Sequence, residues 1–147
     1  MTNEEFIASV SMEGEEWRDV VGYEGLYMVS SIGRIISCQR IIRYKDKQFS
    51  VRPKIRTSHP AGRKGHRYLN IMLYKDNKYK HIYIHKLVAM AFVSNPFNLP
   101  CIDHIDTNQY NNTASNLRWC THKENSNNAL TKKKISDSKK GVPNPLN

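Results

Sequence analysis

Cysteine is scarce in this sequence. Of 147 residues only Cys38, Cys101 and Cys120 are cysteines, and no two form a Cys-x-x-Cys pair. That argues against a disulfide framework and against a four-cysteine zinc site. Small buried hydrophobes in a reducing compartment are the expectation, although Cys101 and Cys120 flank the richest stretch of the chain. Long apolar runs are also missing, so no segment suits a bilayer span. The opening residues, MTNEEFIASV, are acidic and lack a signal-peptide core. A cytoplasmic protein is expected. There is no internal repeat and no long low-complexity tract. At 39% hydrophobic residues the chain sits somewhat below the usual globular share, so small local cores or a ligand must hold the fold. The length allows one ordinary domain or two small modules.

Acidic side chains are nearly absent from the middle of the chain. Residues 1–16 hold Glu4, Glu5, Glu13, Glu15 and Glu16 and no base. The rest carries 23 basic against 8 acidic residues, a net +15. Between Arg40 and Lys86 there are 14 basic residues against Asp46 and Asp76. Such a field attracts polyanions, and counterion release from phosphates drives their binding. No basic stretch has the amphipathic helical face of a membrane anchor. With aromatics interleaved among the charges, nucleic acid is the expected partner.

Residues 1–16 read as an acidic lead-in with room for a short helix. From Trp17, Gly22, Gly25 and Gly33 punctuate short apolar runs at 26–29 and 35–36, which predicts strands between glycine turns. The strand-like pattern continues, strongly basic, to Lys80. Residues 68–74 and 80–85 suit two strands joined by a turn over Lys75, Asp76, Asn77 and Lys78. An exposed basic loop is expected around Gly62, Arg63, Lys64 and Gly65. Leu87, Val88, Ala91 and Phe92 then recur at helical spacing, and Asn95 with Pro96 ends that helix. Residues 101–106 predict a strand, 107–115 an Asn-rich loop, and 117–121 a second strand. Thr121 caps a helix starting near His122, with Glu124 as its capping-box partner.

The chemistry gathers in PCIDHIDTNQYNNTASNLRWCTHKENSNN, residues 100–128. Asp103 and His104 are adjacent, so in an ideal strand they face opposite ways. A bulge or an irregular strand end is needed to bring both to one site. His122 and Asn125 share a helix face. Carboxylate, amide oxygen and water are hard ligands suited to Mg²⁺ or Mn²⁺. A histidine beside such an ion can deprotonate water near neutral pH, and the ion can offset charge on a leaving oxygen. Together these parts amount to phosphodiester hydrolysis. The alternative reading is structural, with Asn-rich turns and a packed histidine.

Several pieces of this stretch resemble the HNH nuclease motif of phage and intron homing endonucleases: the run from His85 to Phe92, then Asp103, His104 and Asp106, then Asn108, Asn111 and Asn112, then Asn116 to Trp119, and Thr121 to Asn125. The intervals are similar too, with twelve residues from His104 to Asn116 and nine from Asn116 to Asn125. Residues 16–37, with Trp17, Gly22 to Tyr27, Val29, Ser30, Gly33, Arg34 and Ser37, resemble a module often placed ahead of that nuclease. The tail from Lys133 to Pro145 has a fainter likeness to a short DNA-binding repeat.

The resemblance implies an α+β chain: an acidic segment at 1–16, a small antiparallel β-rich DNA-binding module at 17–80, a ββα-metal nuclease module at 81–130 and a basic tail at 131–147. It implies Asp103 as a metal ligand, His104 as the general base, and Asn116 as the residue that braces the loop and helps orient His104. Asn125 would be the second protein ligand, with His122 as its rival. Arg118 is the better candidate for a phosphate contact, and Arg63, Lys64, Arg67, Lys75 and His85 are further DNA-contact candidates. His85 is read as supporting or packing rather than catalytic, and Asp106 as a turn residue. The implied cofactor is Mg²⁺ or Mn²⁺, and the partner is double-stranded DNA without a membrane. A monomer would nick and a homodimer could break both strands. If phage-encoded, the protein works in the host cytoplasm. One rival is a DNA-binding protein that keeps the fold without cleavage. The other is a structural zinc module on Cys101, His104, Cys120 and His122, whose spacing fits no common zinc motif.

Overall fold

The computed structural model describes residues 2–62 and 67–126. The expected loop residues Arg63 and Lys64 and the basic tail at 131–147 lie outside these. The acidic lead-in forms helix α1, Asn3–Val10, capped by Thr2, whose hydroxyl accepts from the Glu5 amide at 3.1 Å. α1 buries nothing, but the segment is tied to the body. The Arg34 guanidinium pairs with Glu15, donates to the Val10 carbonyl at 2.7 Å and lies over the Trp17 ring.

The apolar runs between glycine turns become β1 (Trp17–Asp19), β2 (Tyr27–Ser30) and β3 (Ile35–Ser37), joined at the far edge by β6 (Lys54–Arg56) in the antiparallel order β1-β2-β3-β6. β4 (Arg40–Tyr44) and β5 (Lys47–Val51) pair only with each other. β7 (His59–Ala61), β8 (Tyr68–Lys75) and β9 (Lys78–Tyr83) form a third sheet. Among the described residues, the N-terminal strands thus form three small antiparallel sheets. Pro53 lies between β5 and β6, where its missing N–H cannot continue a ladder. The β8–β9 turn is the expected one: Asp76 and Asn77 both take positive φ, 52° and 62°, as a two-residue hairpin turn requires.

Helix α2, Ile84–Phe92, turns Ile84, Leu87, Val88 and Ala89 inward. β8 alternates, with Ile71 and Leu73 buried and Met72 out. One cluster unites Val20, Tyr27, Val29 and Ile35 of the first sheet with Ile71, Leu73, the α2 face and Leu117 from the C-terminal hairpin. Burying each such side chain contributes roughly 1.5–3 kcal/mol, and the packing crosses the module boundary expected near residue 80. The N-terminal strands therefore scaffold α2 and the C-terminal hairpin. Polar ties do the same: the Trp119 indole donates to the Val93 carbonyl at 3.0 Å, and Arg18 to that of Ala91 at 2.7 Å. No helix among the described residues is long and apolar enough to cross a membrane.

Candidate active site

The C-terminal hairpin pairs β10 (Cys101–His104) with β11 (Leu117–Cys120) in unbroken register, Asp103 opposite Arg118 and His104 opposite Leu117. There is no bulge. The irregularity is the strand end: the Thr107 amide donates to the His104 carbonyl at 2.8 Å, and Thr107 takes a φ of 63°. Asp103 and His104, both buried, accordingly meet different neighbours. Across the hairpin, Arg118 Nε donates to Asp103 Oδ2 at 2.9 Å. His104 Nε2 donates to Asn112 Oδ1 at 2.8 Å. An amide oxygen only accepts, so this bond places the proton on Nε2 and leaves Nδ1 as the basic nitrogen.

The ring of His104 is walled by Tyr68, nearly parallel at 5.9 Å between centroids, and by His85, edge-on at 5.1 Å. His85 also stacks on Tyr83 at 5.2 Å, and its Nδ1 is buried with no hydrogen-bond partner among the described residues. Burial, then the neighbouring His104 and Lys86 charges, push His85 down to about 4. It is neutral at pH 7 and brings no charge to a phosphate. Its place is behind His104.

The Asn-rich loop is built around Asp106 and Asn116. The Asn116 amide donates to Asp106 Oδ1 and to the Asn111 carbonyl, both at 2.9 Å, and its Oδ1 accepts from the Asp106 amide at 3.1 Å. Asp106 also accepts from the Asn111 side chain and the Asn108 amide. These bonds, that of Asn111 first, hold its carboxyl below the ordinary range. Asn116 thus braces the loop, but the direct bond to His104 comes from Asn112. Sequence reasoning gave that orienting task to Asn116, because nothing in a run of asparagines tells which amide reaches the ring. Asn112 is in turn seated on the first sheet. A Cβ built on Gly33 would lie 3.0 Å from Asn112 Cβ, and the Ala114 amide donates to the Ser31 carbonyl at 2.8 Å.

The expected capping box is present: the Glu124 amide donates to Thr121 Oγ1 at 3.1 Å and the Thr121 amide to Glu124 Oε1 at 3.2 Å. It starts α3, His122–Ser126, which packs on β10. His122 Nδ1 lies 2.9 Å from the Cys101 thiol. Asn125 is exposed on α3. Cys120 is buried opposite Cys101, and burial raises its thiol. The proposed zinc set is not gathered: His104 is engaged by Asn112, and the described residues contain no group of three or more His, Cys, Asp or Glu fit to hold a metal. Among the DNA-contact candidates, Lys75 is exposed, donates to the Gly22 carbonyl at 2.7 Å and lies over Tyr23. Arg67 is exposed. Arg118 is held by Asp103 with its side chain 43% exposed, so its other N–H groups can still meet solvent or a phosphate.

Two family patterns match this chain: the NUMOD4 motif over residues 15–85 and an HNH endonuclease over residues 96–127. DNA endonuclease I-HmuI of Bacillus phage SP01 is 33% identical over 124 residues, 84% of this chain and 63% of its own length. A solved structure described as "DNA binding and cleavage by the HNH homing endonuclease I-HmuI" superposes with a TM-score of 0.55 at 32% identity, covering 80% of this chain and 59% of that one. The chain is homologous to HNH homing endonucleases. The uncharacterized HNH endonuclease L245 of Acanthamoeba polyphaga mimivirus is also similar, 39% identical over 67% of this chain but only 26% of its own. The chain therefore spans between about a quarter and two thirds of the length of these relatives. The HNH match contains Asp103, His104, Asn112, Asn116, Arg118 and Asn125, while the NUMOD4 match supplies Gly33, Tyr68 and His85. HNH endonucleases generally use a divalent metal ion.

Proposed function

We propose that this chain hydrolyses phosphodiester bonds in double-stranded DNA, one strand per site, as the nuclease portion of a homing endonuclease. The observation that carries the reading is the His104–Asn112 bond, which holds a buried imidazole in one tautomer, next along the strand to a buried carboxylate. His104 Nδ1 would take the proton of the attacking water, a task worth ~10²–10⁴ in rate. Asn112 keeps that nitrogen basic by occupying the other one. His85 and Tyr68 keep the ring from turning. Arg118 would meet the phosphate while steadying Asp103.

The donor set suits a hard divalent cation. Asp103 offers a carboxylate and Asn125 an amide oxygen, few protein ligands, as Mg²⁺ with its retained waters tolerates. His122 already faces a thiol, which favours Asn125 over it. Bound there, Mg²⁺ or Mn²⁺ would supply Lewis-acid stabilisation of the phosphate and its leaving oxygen. The products would be a 5′-phosphate and a 3′-hydroxyl. A monomer would nick, a homodimer could cut both strands, and the site of action would be intracellular.

The test is plasmid cleavage with Mg²⁺, Mn²⁺ or EDTA, wild type against His104→Ala. Open circle formed only with metal, and lost in the variant, is the expected result. Metal-independent cleavage, or an active variant, would sink the assignment of His104. Intact DNA binding with no cleavage on a mixed genomic substrate would favour the non-catalytic DNA-binding rival.

A further inference from the structure

Cys101 and Cys120 have no part in the cutting chemistry, yet the C-terminal hairpin sets them face to face. They are directly opposed in the β10–β11 register, two positions along the strands from the Asp103–Arg118 pair. Directly opposed residues of antiparallel strands share a face and lie roughly 4.5–5.5 Å apart between Cα atoms. A disulfide spans ~4.4–6.8 Å on the same measure. Both cysteines are free thiols. Cys120 is wholly buried, whereas Cys101 is only half-buried. A cysteine kept as a small hydrophobe is buried and inert. Cys101 is otherwise placed: solvent reaches it, and His122 Nδ1 lies 2.9 Å from its Sγ.

That contact joins two elements. Helix α3 has only five residues, His122–Ser126, and a helix so short does not hold itself in water. Its capping box and the Asn125 amide, which donates to the Thr121 carbonyl at 3.0 Å, secure its own first turn. Packing on β10 and the bond between His122 and Cys101 secure it to the hairpin. Asn125, the proposed metal ligand, rides on this helix. A disulfide would hold the two sulfurs ~2.05 Å apart. Cys101 would then have its sulfur turned toward Cys120 and no thiol proton to share with the imidazole, and the tie at His122 would be lost.

We propose that Cys101 and Cys120 form a modification site for hydroperoxides, in which a cross-strand disulfide closes, takes Cys101 from His122 and loosens α3 with its Asn125. Its effect on cleavage rests on the proposed nuclease reading; the disulfide itself does not. Access decides the order of events, since the more exposed thiol meets the oxidant first. Cys101 Sγ attacks one peroxide oxygen, the O–O bond breaks, and the thiol proton goes to the departing oxygen. With hydrogen peroxide the products are Cys101 sulfenic acid and water. Cys120 Sγ then attacks Cys101 Sγ, the S–O bond breaks, and the hydroxyl leaves as a second water with the Cys120 proton. The two thiols together lose two electrons, and the peroxide gains them. A thiol reductant reverses the bond by exchange.

The experiment treats the full chain with hydrogen peroxide, stops the reaction with catalase and maps peptides without reduction. Trypsin cuts after Arg118, so Cys101 and Cys120 fall in separate peptides. In wild type these should appear linked, and dithiothreitol should release them. Cys101→Ser should give no link. Cys120→Ser should stop at a Cys101 sulfenic acid that dimedone traps. Amide exchange across residues 122–126 should be about tenfold or more faster in the oxidised wild type. Plasmid nicking with Mg²⁺ should fall about tenfold to a hundredfold, the usual cost of disturbing the support of a metal ligand, and return with dithiothreitol. The absence of a linked peptide, or a link found only in a dimer on a non-reducing gel, would overturn the pair. A link that leaves exchange in α3 unchanged would overturn the release of the helix. Loss of nicking that dithiothreitol does not restore, or that Cys101→Ser shares, would overturn the control of cleavage. Reduced wild type that nicks no duplex would defeat the nuclease reading, with the link and the exchange still deciding the pair.

Discussion

Acid should destabilise this fold through His85 before it reaches the carboxylates. In the folded chain His85 is held at about 4, against an ordinary 6.5, by burial and then by the charges of His104 and Lys86. Tyr68 and Tyr83 pack its ring, and nothing among the described residues accepts a proton from its Nδ1. The unfolded chain takes up a proton below 6.5, and the folded chain does not until about 4. Stability is therefore unaffected by His85 above pH ~7.5 and falls between 6.5 and 4, by up to ~1.4 kcal/mol per pH unit. The gap between 6.5 and about 4 amounts to about 3 kcal/mol in all, of which about 2 is lost by pH 5. The carboxyls held low, Glu15, Glu24, Asp106 and Glu124, act in a lower window, losing their contribution as pH falls below ordinary carboxylate values. Urea denaturation followed by tryptophan fluorescence at pH 7.5, 6.0 and 5.0 separates the two. His85→Phe keeps an aromatic ring in the stack and removes the titration, so its stability should change little between pH 7.5 and 5.0 while wild type drops. Parallel losses in the two proteins over that interval would refute the reasoning.

Asn112→Ala should lower cleavage about tenfold to a hundredfold, less than loss of the base itself, and cost roughly 1–3 kcal/mol of stability for the buried His104 N–H left unpaired; single-turnover kinetics on plasmid with the folded variant reads this, and wild-type rates would remove Asn112 from the site. Gly33→Ala places a side chain at a φ of 93° and against Asn112, so it should cost roughly 1–2 kcal/mol in urea denaturation and depress cleavage besides. Retained cleavage in the folded variant would show that the β2–β3 turn does not seat Asn112. Arg118→Met leaves the buried Asp103 carboxylate without this ion pair; a loss of roughly 1–2 kcal/mol is expected, discounted for the exposure of Arg118. Equal stability at pH 7 would mean that the pair contributes nothing. Asn116→Ala should loosen the 106–116 loop, seen as faster amide exchange at Asp106 and Ile105, whose amides donate to Asn116. Unchanged exchange would place the bracing elsewhere.

Local chemistry was legible without coordinates wherever a neighbour in sequence is also the neighbour in space. The β8–β9 turn, the α2 stripe, the Thr121–Glu124 capping box and the two strands around the Asn-rich loop all depend on residues within a few positions of each other. So did the candidates Asp103, His104, Asn116 and Asn125, standing at the intervals of a known motif. Charge pointed toward a polyanion because net charge needs no fold.

Other features required the chain to close on itself. That Asn112 rather than Asn116 meets His104 depends on how the loop after β10 returns to the ring, and on Gly33, far upstream, leaving room for it. The bond from Lys75 to the carbonyl of Gly22 likewise forms only after β8 docks. His85 loses its proton because Tyr68, Tyr83 and His104 converge on it from separate elements. Sequence alone determined which groups are present and their local periods, because these are properties of short stretches. Tertiary structure decided which of those groups are desolvated and which polar atoms face each other, because both depend on contacts between residues far apart in the chain.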